Sequence, residues 1–168
     1  MRSVLGDAAH AVGGGGLEAA AVVIWYPPRT LIVTGSRRWP APHVITAVLG
    51  WYAPELVVHG DADGADAMAE RWAKRALIAH IGLPAKWRKD GKLDRSAGYA
   101  RNAGMLCMFP GVLVLAFPHP TLKSNGTRHC MKLAEGRGHP LRVYDLEGKL
   151  THRSGPVLPQ WKDEEWKD

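Results

Sequence analysis

The sequence predicts an α/β protein of three layers, in which helices cover both faces of a mainly parallel, five-stranded sheet. Three observations predict this fold class. Short apolar runs alternate with segments of helical periodicity, as in strands joined by right-handed helical crossovers. The runs are apolar at consecutive positions, as expected of strands buried on both faces. Two of them end in a glycine turn that opens into a helix, which places backbone N–H groups beside a phosphate.

The first half of the chain supplies two strands and two helices. Residues 30–35 and 55–59 are the apolar runs that predict the strands. Residues 40–52 have helical periodicity, with proline tolerated in the first turn. Residues 64–81 have the clearest amphipathic pattern, because small and apolar side chains recur every three or four positions and charged ones occupy the opposite face. Gly82 is expected to end this helix.

The second half continues the alternation. It predicts a short strand at 85–88, a polar loop at 89–98, a helix at 99–108, a strand at 112–117, a loop at 118–125, a helix at 126–137 and a strand at 141–144. The whole predicts a Rossmann-like three-layer α/β/α sandwich. If the strand order is 3-2-1-4-5, it reverses between the first and fourth strands, and ligands of such sheets bind there, outside the carboxyl ends of the strands.

One globular domain is expected from 168 residues of ordinary hydrophobic content. We place it at 30–146, between a flexible, Ala/Gly-rich N-terminal arm at 1–29 and a C-terminal tail at 147–168. Asp7, His10 and Glu18 interrupt the apolar stretch of the arm, so it fits neither a secretory signal nor a membrane span. A cytoplasmic protein without a membrane partner is the expectation, and self-association stays open.

Charge and motif content narrow the partners. The formal net charge of +6 favours anionic partners, either nucleic acid or phosphorylated metabolites. Cys107 and Cys130 lack metal-ligand spacing, which argues against a disulfide framework or a structural zinc site. Neither a G-x-G-x-x-G fingerprint nor a Walker loop is present, which disfavours an ordinary NAD dehydrogenase or P-loop nucleotidase. No cofactor and no metal are therefore predicted.

The acidic run at 61–66 is assigned to a helix start. It fails as a calcium loop because Asp66 occupies the position where an EF-hand has glycine. Asp61 or Asp63 is expected to be the N-cap of the helix at 64–81. Asp66 would lie favourably near the positive end of the same helix.

Five short motifs, taken in chain order, carry a family resemblance. They are Gly-Ser-Arg-Arg-Trp at 35–39, His-Gly-Asp-Ala-Asp-Gly-Ala-Asp at 59–66, Pro-Ala-Lys-Trp at 84–87, Gly-Tyr-Ala-Arg-Asn at 98–102 and Asn-Gly-Thr at 125–127. Together they resemble the YspA/YpsA-related proteins of the SLOG superfamily, which actinobacteria and their phages often carry. The resemblance covers 30–144 and implies a nucleotide or nucleotide-derived ligand at the carboxyl edge of the sheet.

The same superfamily contains the LOG phosphoribohydrolases, whose signature couples an Arg-x-x-x-Met helix with a P-G-G-x-G-T-x-x-E loop. Arg101 and Met105 match the first motif, and Gly126 and Thr127 match the glycine–threonine pair of the second. Cys130 stands where that signature has its glutamate. Catalytic residues are therefore not assigned, and N-glycosidic hydrolysis is an alternative to binding alone.

The predicted ligand site gathers residues from all of these turns: Gly35, Ser36, Arg37, Gly60, Asp61, Gly64, Asp66, Arg101, Asn102, Gly126 and Thr127. Gly35, Ser36 and Gly126 would offer backbone N–H groups to a phosphate, the alternative being plain strand–helix turns. Arg37 and Arg101 would supply charge, since a guanidinium suits phosphate and carboxylate alike. Thr127 either donates to the phosphate or caps its helix.

Three further side chains have either a functional or a structural interpretation. Trp39 and Trp87 offer faces on which a base can stack, although Trp87 is expected to pack in the core. His59 ends a buried strand and is expected to be a satisfied core histidine. A third functional class is nucleic-acid binding, because the superfamily includes the single-strand-binding DprA and because Trp39 with Arg37 and Arg38 would form a stacking platform. The spread of basic residues along the chain makes this less favoured.

Overall fold

The computed structural model describes residues 26–161, and its centre is a six-stranded sheet between two layers of helices. The strands are β1 (Thr30–Gly35), β2 (Leu56–His59), β3 (Ala79–Gly82), β4 (Arg88–Lys89), β5 (Lys92–Leu93), β6 (Leu113–Phe117), β7 (Leu141–Tyr144) and β8 (Leu150–Ser154). The helices are α1 (Pro42–Tyr52), α2 (Ala65–Ala76), α3 (Ala97–Met108) and α4 (Asn125–Gly136).

The main sheet has the strand order β3-β2-β1-β6-β7-β8. Its first five strands are parallel, and β8 pairs antiparallel with β7. One face packs on α1 and α2 and the other on α3 and α4. The α/β class, the three layers and the mainly parallel sheet are therefore confirmed, as is the reversal of strand order beside β1.

The third predicted strand was wrong. It was expected at 85–88, but the strand that pairs with β2 is β3, with Leu56 opposite Ala79. Helix α2 ends at Ala76 because Leu77 adopts a left-handed conformation, with φ of 56°, and caps it. The helical periodicity ran on past this point because Ile78 still packs against the core. Strand β3 lies at the sheet edge and is largely exposed, so it has no apolar run to reveal it.

The expected polar loop at 89–98 contains part of a hairpin. Strands β4 and β5 pair antiparallel, apart from the main sheet. Their turn is formed by Asp90 and Gly91, with φ of 51° and 78°. Positive φ at both central residues is the type I′ turn that Asp-Gly favours.

The chain beyond β7 adds an edge strand and an aromatic anchor within the segment assigned to a C-terminal tail. Strand β8 closes the sheet beside β7, and Trp161 is buried edge-on against Tyr52, with ring centroids 5.6 Å apart. Residues 1–25, which hold most of the predicted N-terminal arm, and residues 162–168 lie outside the described part. The proposed domain limits stay a prediction.

The fold brings the ends of β1 and β6 together at the carboxyl edge. Gly35 is the register partner of Phe117, and the N–H of Ser36 donates to the Phe117 carbonyl at 2.9 Å. Helices α2 and α4 begin at this edge on opposite faces of the sheet. No helix between residues 26 and 161 is long and apolar enough to cross a bilayer.

Candidate functional site

A cavity of about 650 Å³ opens at the carboxyl edge of the sheet, where β1 and β6 end side by side. Its walls come from the β1–α1 turn, the first turn of α2, the start of α3 and the segment at 122–127 that leads into α4. Its size and its place at the reversal of strand order suit a small-molecule ligand. Eight of the predicted site residues line it: Gly35, Ser36, Arg37, Asp66, Arg101, Asn102, Gly126 and Thr127.

The lining of this cavity is strongly cationic. Among the described residues, Asp66 is its one acidic side chain, against five basic ones: Arg37, Arg38, Arg95, Arg101 and Lys123. Three of the five were missing from the predicted site: Arg38, Arg95 and Lys123. Arg38 adjoins Arg37 in the same turn and enters the sequence analysis only in the nucleic-acid alternative, whereas Arg95 and Lys123 lie on loops that only the fold brings to this cavity. Such a concentration of one sign raises the local concentration of an anionic ligand.

The N-terminus of α4 forms one wall. The first N–H groups of a helix have no preceding helical carbonyl to bond, and the side chain of the N-cap residue Ser124 does not replace it. Asn125, Gly126 and Thr127 line the cavity here. A Cβ added to Gly126 would meet nothing within 4 Å. Thr127 lies inside the first turn and is not the cap, so of its two predicted roles the capping one is wrong.

The turn after β1 has a largely structural role. The N–H of Ser36 is already bonded to Phe117, and its Oγ accepts from the N–H of Arg38 at 3.1 Å. The expected backbone contact between Ser36 and a phosphate is therefore not available. A Cβ on Gly35 would overlap the Cβ of Ala65, so glycine here permits β1 and α2 to approach.

Gly64 supports the site from outside it. This residue has φ of 73° and is the N-cap of α2, so the prediction that Asp61 or Asp63 caps the helix is wrong. A Cβ on Gly64 would overlap the carbonyl oxygen of Ser36 and lie 2.6 Å from that of Arg37. The backbone of the β1–α1 turn therefore fills the space beside Gly64, which lines neither this cavity nor the smaller one described next.

Gly60 and Asp61 line a second cavity, of about 300 Å³, that adjoins the first. Gly60 follows β2, and a Cβ there would overlap the guanidinium of Arg101. Asp61 has φ of 51°, and its N–H donates to Nδ1 of His59 at 3.2 Å.

Arg101 is held by several partners. Its Nη1 donates to the carbonyl oxygens of Gly60 and Leu83, and its Nε donates to Oδ1 of Asn102 at 2.9 Å. The Asn102 amide donates in turn to the carbonyl of Gly126 at 3.0 Å. The two side chains therefore tie the ends of β2 and β3 to the N-terminus of α4, a bracing role that the sequence analysis did not assign to them.

Asp66 is the buried acid of the site. Its Oδ2 accepts from the N–H of Gly60 at 2.9 Å and lies 4.0 Å from Nη1 of Arg101. Burial raises the pKa of the Asp66 carboxyl to about 7, although Arg101 and the N–H groups of Gly60 and Ala62 act in the opposite direction. A carboxyl that titrates near neutral pH inside a cavity is suited to exchanging a proton with a ligand.

The two tryptophans have exchanged their expected roles. Trp39 is 2% exposed, with its Nε1 donating to the carbonyl of Ala41 at 3.0 Å and its ring edge-on to Phe117, so it cannot stack on a ligand. Trp87, expected in the core, is 38% exposed and lines both cavities. The Cζ of Arg37 lies 5.2 Å from the centroid of the Trp87 ring.

His59 and Cys130 are buried beside the site. His59 was expected to be fully bonded, but its Nε2 has no partner among the described residues, and burial lowers the pKa of the ring. Burial also raises the pKa of the Cys130 thiol to about 11, so it stays protonated and does not replace the LOG glutamate. Residues 26–161 contain no group of three or more potential metal-ligating side chains that could hold an ion.

Comparisons with known proteins fit this geometry. The sequence profile of the YspA, cpYpsA-related SLOG family matches residues 29–89, which run from the start of β1 to the end of β4. The Gene 61 protein of Mycobacterium phage D29 is 37% identical over 126 residues, which take in 67% of this chain and 94% of the phage protein. The chain belongs to the YspA and cpYpsA-related SLOG family. The predicted family is thereby confirmed, and a phage relative accords with the source that the resemblance implied.

The SLOG protein is similar to two solved structures, and with the first of them it shares its fold. DNA processing protein A (DprA) from Streptococcus pneumoniae has a TM-score of 0.53 and 17% identity, over 80% of this chain and 53% of that chain. The SLOG protein thus spans about half the length of that DprA. DNA processing protein A from Helicobacter pylori, described as having a unique single-stranded DNA binding mode, has a TM-score of 0.47 and 19% identity, over 70% of this chain and 65% of that chain. At 17% identity the likeness to the Streptococcus pneumoniae protein is one of fold.

Proposed function

We propose that the protein binds a phosphate-bearing nucleotide or nucleotide-derived small molecule in the larger cavity. One observation carries the proposal: five cationic side chains and the N-terminus of α4 converge on a cavity at the reversal of strand order. A helix N-terminus and a positive field both favour phosphate. Family membership supports the same class of ligand.

Different residues of the larger cavity bind the phosphate and the base of the ligand. The N–H groups of Gly126 and its helical neighbours receive a phosphate, and Lys123 and Arg38 balance its charge. Tyr99, which is 41% exposed and lines the cavity, offers a ring on which a base can stack. Arg101 contributes its charge from the cavity wall, since its Nη1 and Nε are already bonded to Gly60, Leu83 and Asn102.

The direct test is calorimetry with common mononucleotides, ADP-ribose and cyclic dinucleotides. We expect a dissociation constant well below about 1 mM for at least one of them, and a loss of about tenfold or more in the Lys123→Ala variant. Arg75→Ala is the matched control, because this exposed residue lies in the last turn of α2, at the opposite edge of the sheet. Absence of binding across the panel by folded protein would overturn the proposal.

Hydrolysis at the same site is tested alongside binding. Among the described residues, Asp66 is the acidic side chain that lines the larger cavity. Its pKa of about 7 suits a group that gives or takes a proton during hydrolysis. Chromatography of each nucleotide after incubation would reveal a released base. Turnover that disappears in Asp66→Asn while binding persists would make the protein an enzyme, and inertness of every nucleotide would leave it a binding protein.

Nucleic-acid binding is the second candidate, and the β4–β5 hairpin is the observation that favours it. Five exposed basic side chains lie in or beside this hairpin, together with the exposed ring of Trp87: Lys86, Arg88, Lys89, Lys92 and Arg95. Phosphate tracking combined with aromatic stacking is how single strands are bound without sequence preference. Affinity for an oligonucleotide should then fall steeply as salt rises. No gel shift at low salt would remove this candidate.

A further inference from the structure

The two cavities of the site differ in charge. The smaller cavity holds the carboxylates of Asp61 and Asp63, whereas the larger holds the cationic set and the bonded carboxyl of Asp66. Within residues 26–161, neither Asp61 nor Asp63 forms a side-chain hydrogen bond or an ion pair. Both carboxylates therefore have acceptor capacity to offer to a ligand.

A single pair of side chains marks the boundary between the cavities. Arg37 and Trp87 line both of them, with the guanidinium 5.2 Å from the ring centroid. Arg101 also lines both. A ligand that extends from one cavity into the other passes two guanidinium groups. The part of the ligand that lies beside them is therefore best negatively charged.

The order of charges, from the larger cavity across the two arginines to the smaller cavity, fits one chemical class of ligand. A nucleoside and its phosphates suit the cationic cavity and the boundary arginines, whereas free carboxylates accept hydrogen bonds from sugar hydroxyls, as acidic residues do with ribose in dinucleotide sites. Repulsion from Asp61 and Asp63 disfavours a terminal phosphate beside these two carboxylates, so the phosphates are best placed at Arg37 and Arg101, on the boundary of the smaller cavity. An uncharged group rich in hydroxyls suits the two free carboxylates of this cavity, because each hydroxyl can donate to them.

We propose that the two cavities form one bipartite site for a nucleoside diphosphate sugar, with the pyrophosphate at Arg37 and Arg101 and the sugar hydroxyls on Asp61 and Asp63. This inference rests on the proposed function, because it assumes that the nucleotide occupies the larger cavity. It adds the chemical class of the ligand and a role for the two acidic residues.

The test is calorimetry with ADP, ADP-ribose and ADP-glucose, which share one nucleoside. We expect at least one sugar conjugate to bind about fivefold or more tightly than ADP, since it adds hydrogen bonds to charged acceptors. The informative quantity is the ratio of the dissociation constant of ADP to that of the conjugate. The dissociation constant of each conjugate is also compared between variants. Removal of a carboxylate strengthens the binding of ADP through the field of the protein, because ADP has the larger negative charge, whereas loss of sugar hydrogen bonds weakens the binding of the conjugates.

The variants are Asp61→Asn, Asp63→Asn and their combination. Asparagine keeps the shape of aspartate and tolerates positive φ, which Asp61 needs at 51°. Asp90→Asn is the matched control, since Asp90 has the same φ and lies in the hairpin turn outside both cavities. We expect the double variant to bring the ratio to about one and the control to leave it within about twofold of the wild-type value.

Each outcome decides between the two proposals. If ADP binds and neither conjugate binds more tightly, the bipartite site is wrong and the nucleotide cavity stands. A conjugate advantage that survives the double variant also overturns it, because the sugar then lies elsewhere. Failure of ADP and both conjugates to bind folded protein rejects the bipartite site. A short oligonucleotide that binds where ADP and both conjugates do not would identify the site as nucleic-acid binding.

Discussion

Arg101 and Asp66 form a buried ion pair, Nη1 to Oδ2 at 4.0 Å, in the wall of the cavity. The same Nη1 donates to the carbonyl of Gly60, whose N–H donates to Asp66. Asp66 therefore binds the N–H of Gly60 and Arg101 binds its carbonyl, so the two side chains fix the residue that follows β2. Breaking such a pair leaves a buried polar group without its partner, which costs more than the pair itself contributes.

Replacement of Arg101 by alanine should lower the free energy of unfolding by about 2 kcal/mol or more, because the carbonyls of Gly60 and Leu83 and the amide oxygen of Asn102 lose their donor. The buried carboxyl of Asp66 also loses the cation beside it. Arg101→Lys should recover little of this, since an ammonium cannot reproduce the fork that reaches Gly60 and Asn102. Urea denaturation of both variants measures the loss. If Arg101→Ala were as stable as wild type, the hydrogen bonds of Arg101 would contribute nothing measurable to the free energy of unfolding.

The stability of the folded state should decrease with pH between about 4 and about 7 through Asp66. Burial raises the pKa of this carboxyl to about 7 in the folded state, whereas it is about 3.9 in an unfolded chain. Between these values the folded state holds the proton that the unfolded state has lost, so rising pH favours unfolding by up to about 1.4 kcal/mol per unit. Above about pH 7 the contribution levels off, because the carboxyl is ionised in both states.

Asp66→Asn isolates this contribution, because asparagine does not titrate and still accepts from the N–H of Gly60. The stability of wild type relative to this variant should decline by more than about 1 kcal/mol from about pH 5 to about pH 7.5, as measured by urea denaturation. Parallel pH profiles for the two proteins would show that the folded-state pKa of Asp66 is not raised.

Gly64→Ala should destabilise the fold by about 2 kcal/mol or more, since the new Cβ overlaps the carbonyl of Ser36 at a φ of 73°. The matched control is Gly50→Ala, in α1, where the new Cβ meets nothing within 4 Å. There alanine should stabilise the helix by up to about 1 kcal/mol. Thermal and urea unfolding of the two variants compare them, and equal effects would contradict the role given to Gly64.

The sequence predicted the central strands well because burial on both faces leaves a continuous apolar run. Strands β1, β2, β6 and β7 all have fully or almost fully buried side chains. The edge strand β3 has no such run, and its residues were absorbed into the periodicity of α2. The hairpin was missed for another reason: the Asp90–Gly91 signal was present, but β4 and β5 have only two residues each.

The sequence predicted the location of the candidate site better than the role of each residue in it. Glycine turns indicated which loops meet, and eight predicted residues line one cavity. The burial of Trp39 depends on its packing against Phe117, which lies far away in the sequence. Arg101 reaches the carbonyls of Gly60 and Leu83 through contacts that no local pattern encodes.

Gly126→Asp should weaken nucleotide binding by about tenfold or more, equivalent to about 1.4 kcal/mol. The new carboxylate enters open space in the cavity wall, where it takes the place of the phosphate at the first turn of α4 and repels it. The fold should survive, because a negative charge in the first turn of a helix is favourable. Gly126→Asn is the matched control, since it adds the same bulk without the charge. Calorimetry with the best ligand of the panel, alongside melting curves of all three proteins, separates the effect of charge from that of bulk.

A large loss of affinity in Gly126→Asp with a smaller loss in Gly126→Asn supports phosphate binding at α4. Equal affinities in wild type and Gly126→Asp would move the phosphate away from this helix, and a collapse of the melting temperature in both variants would make Gly126 a structural residue.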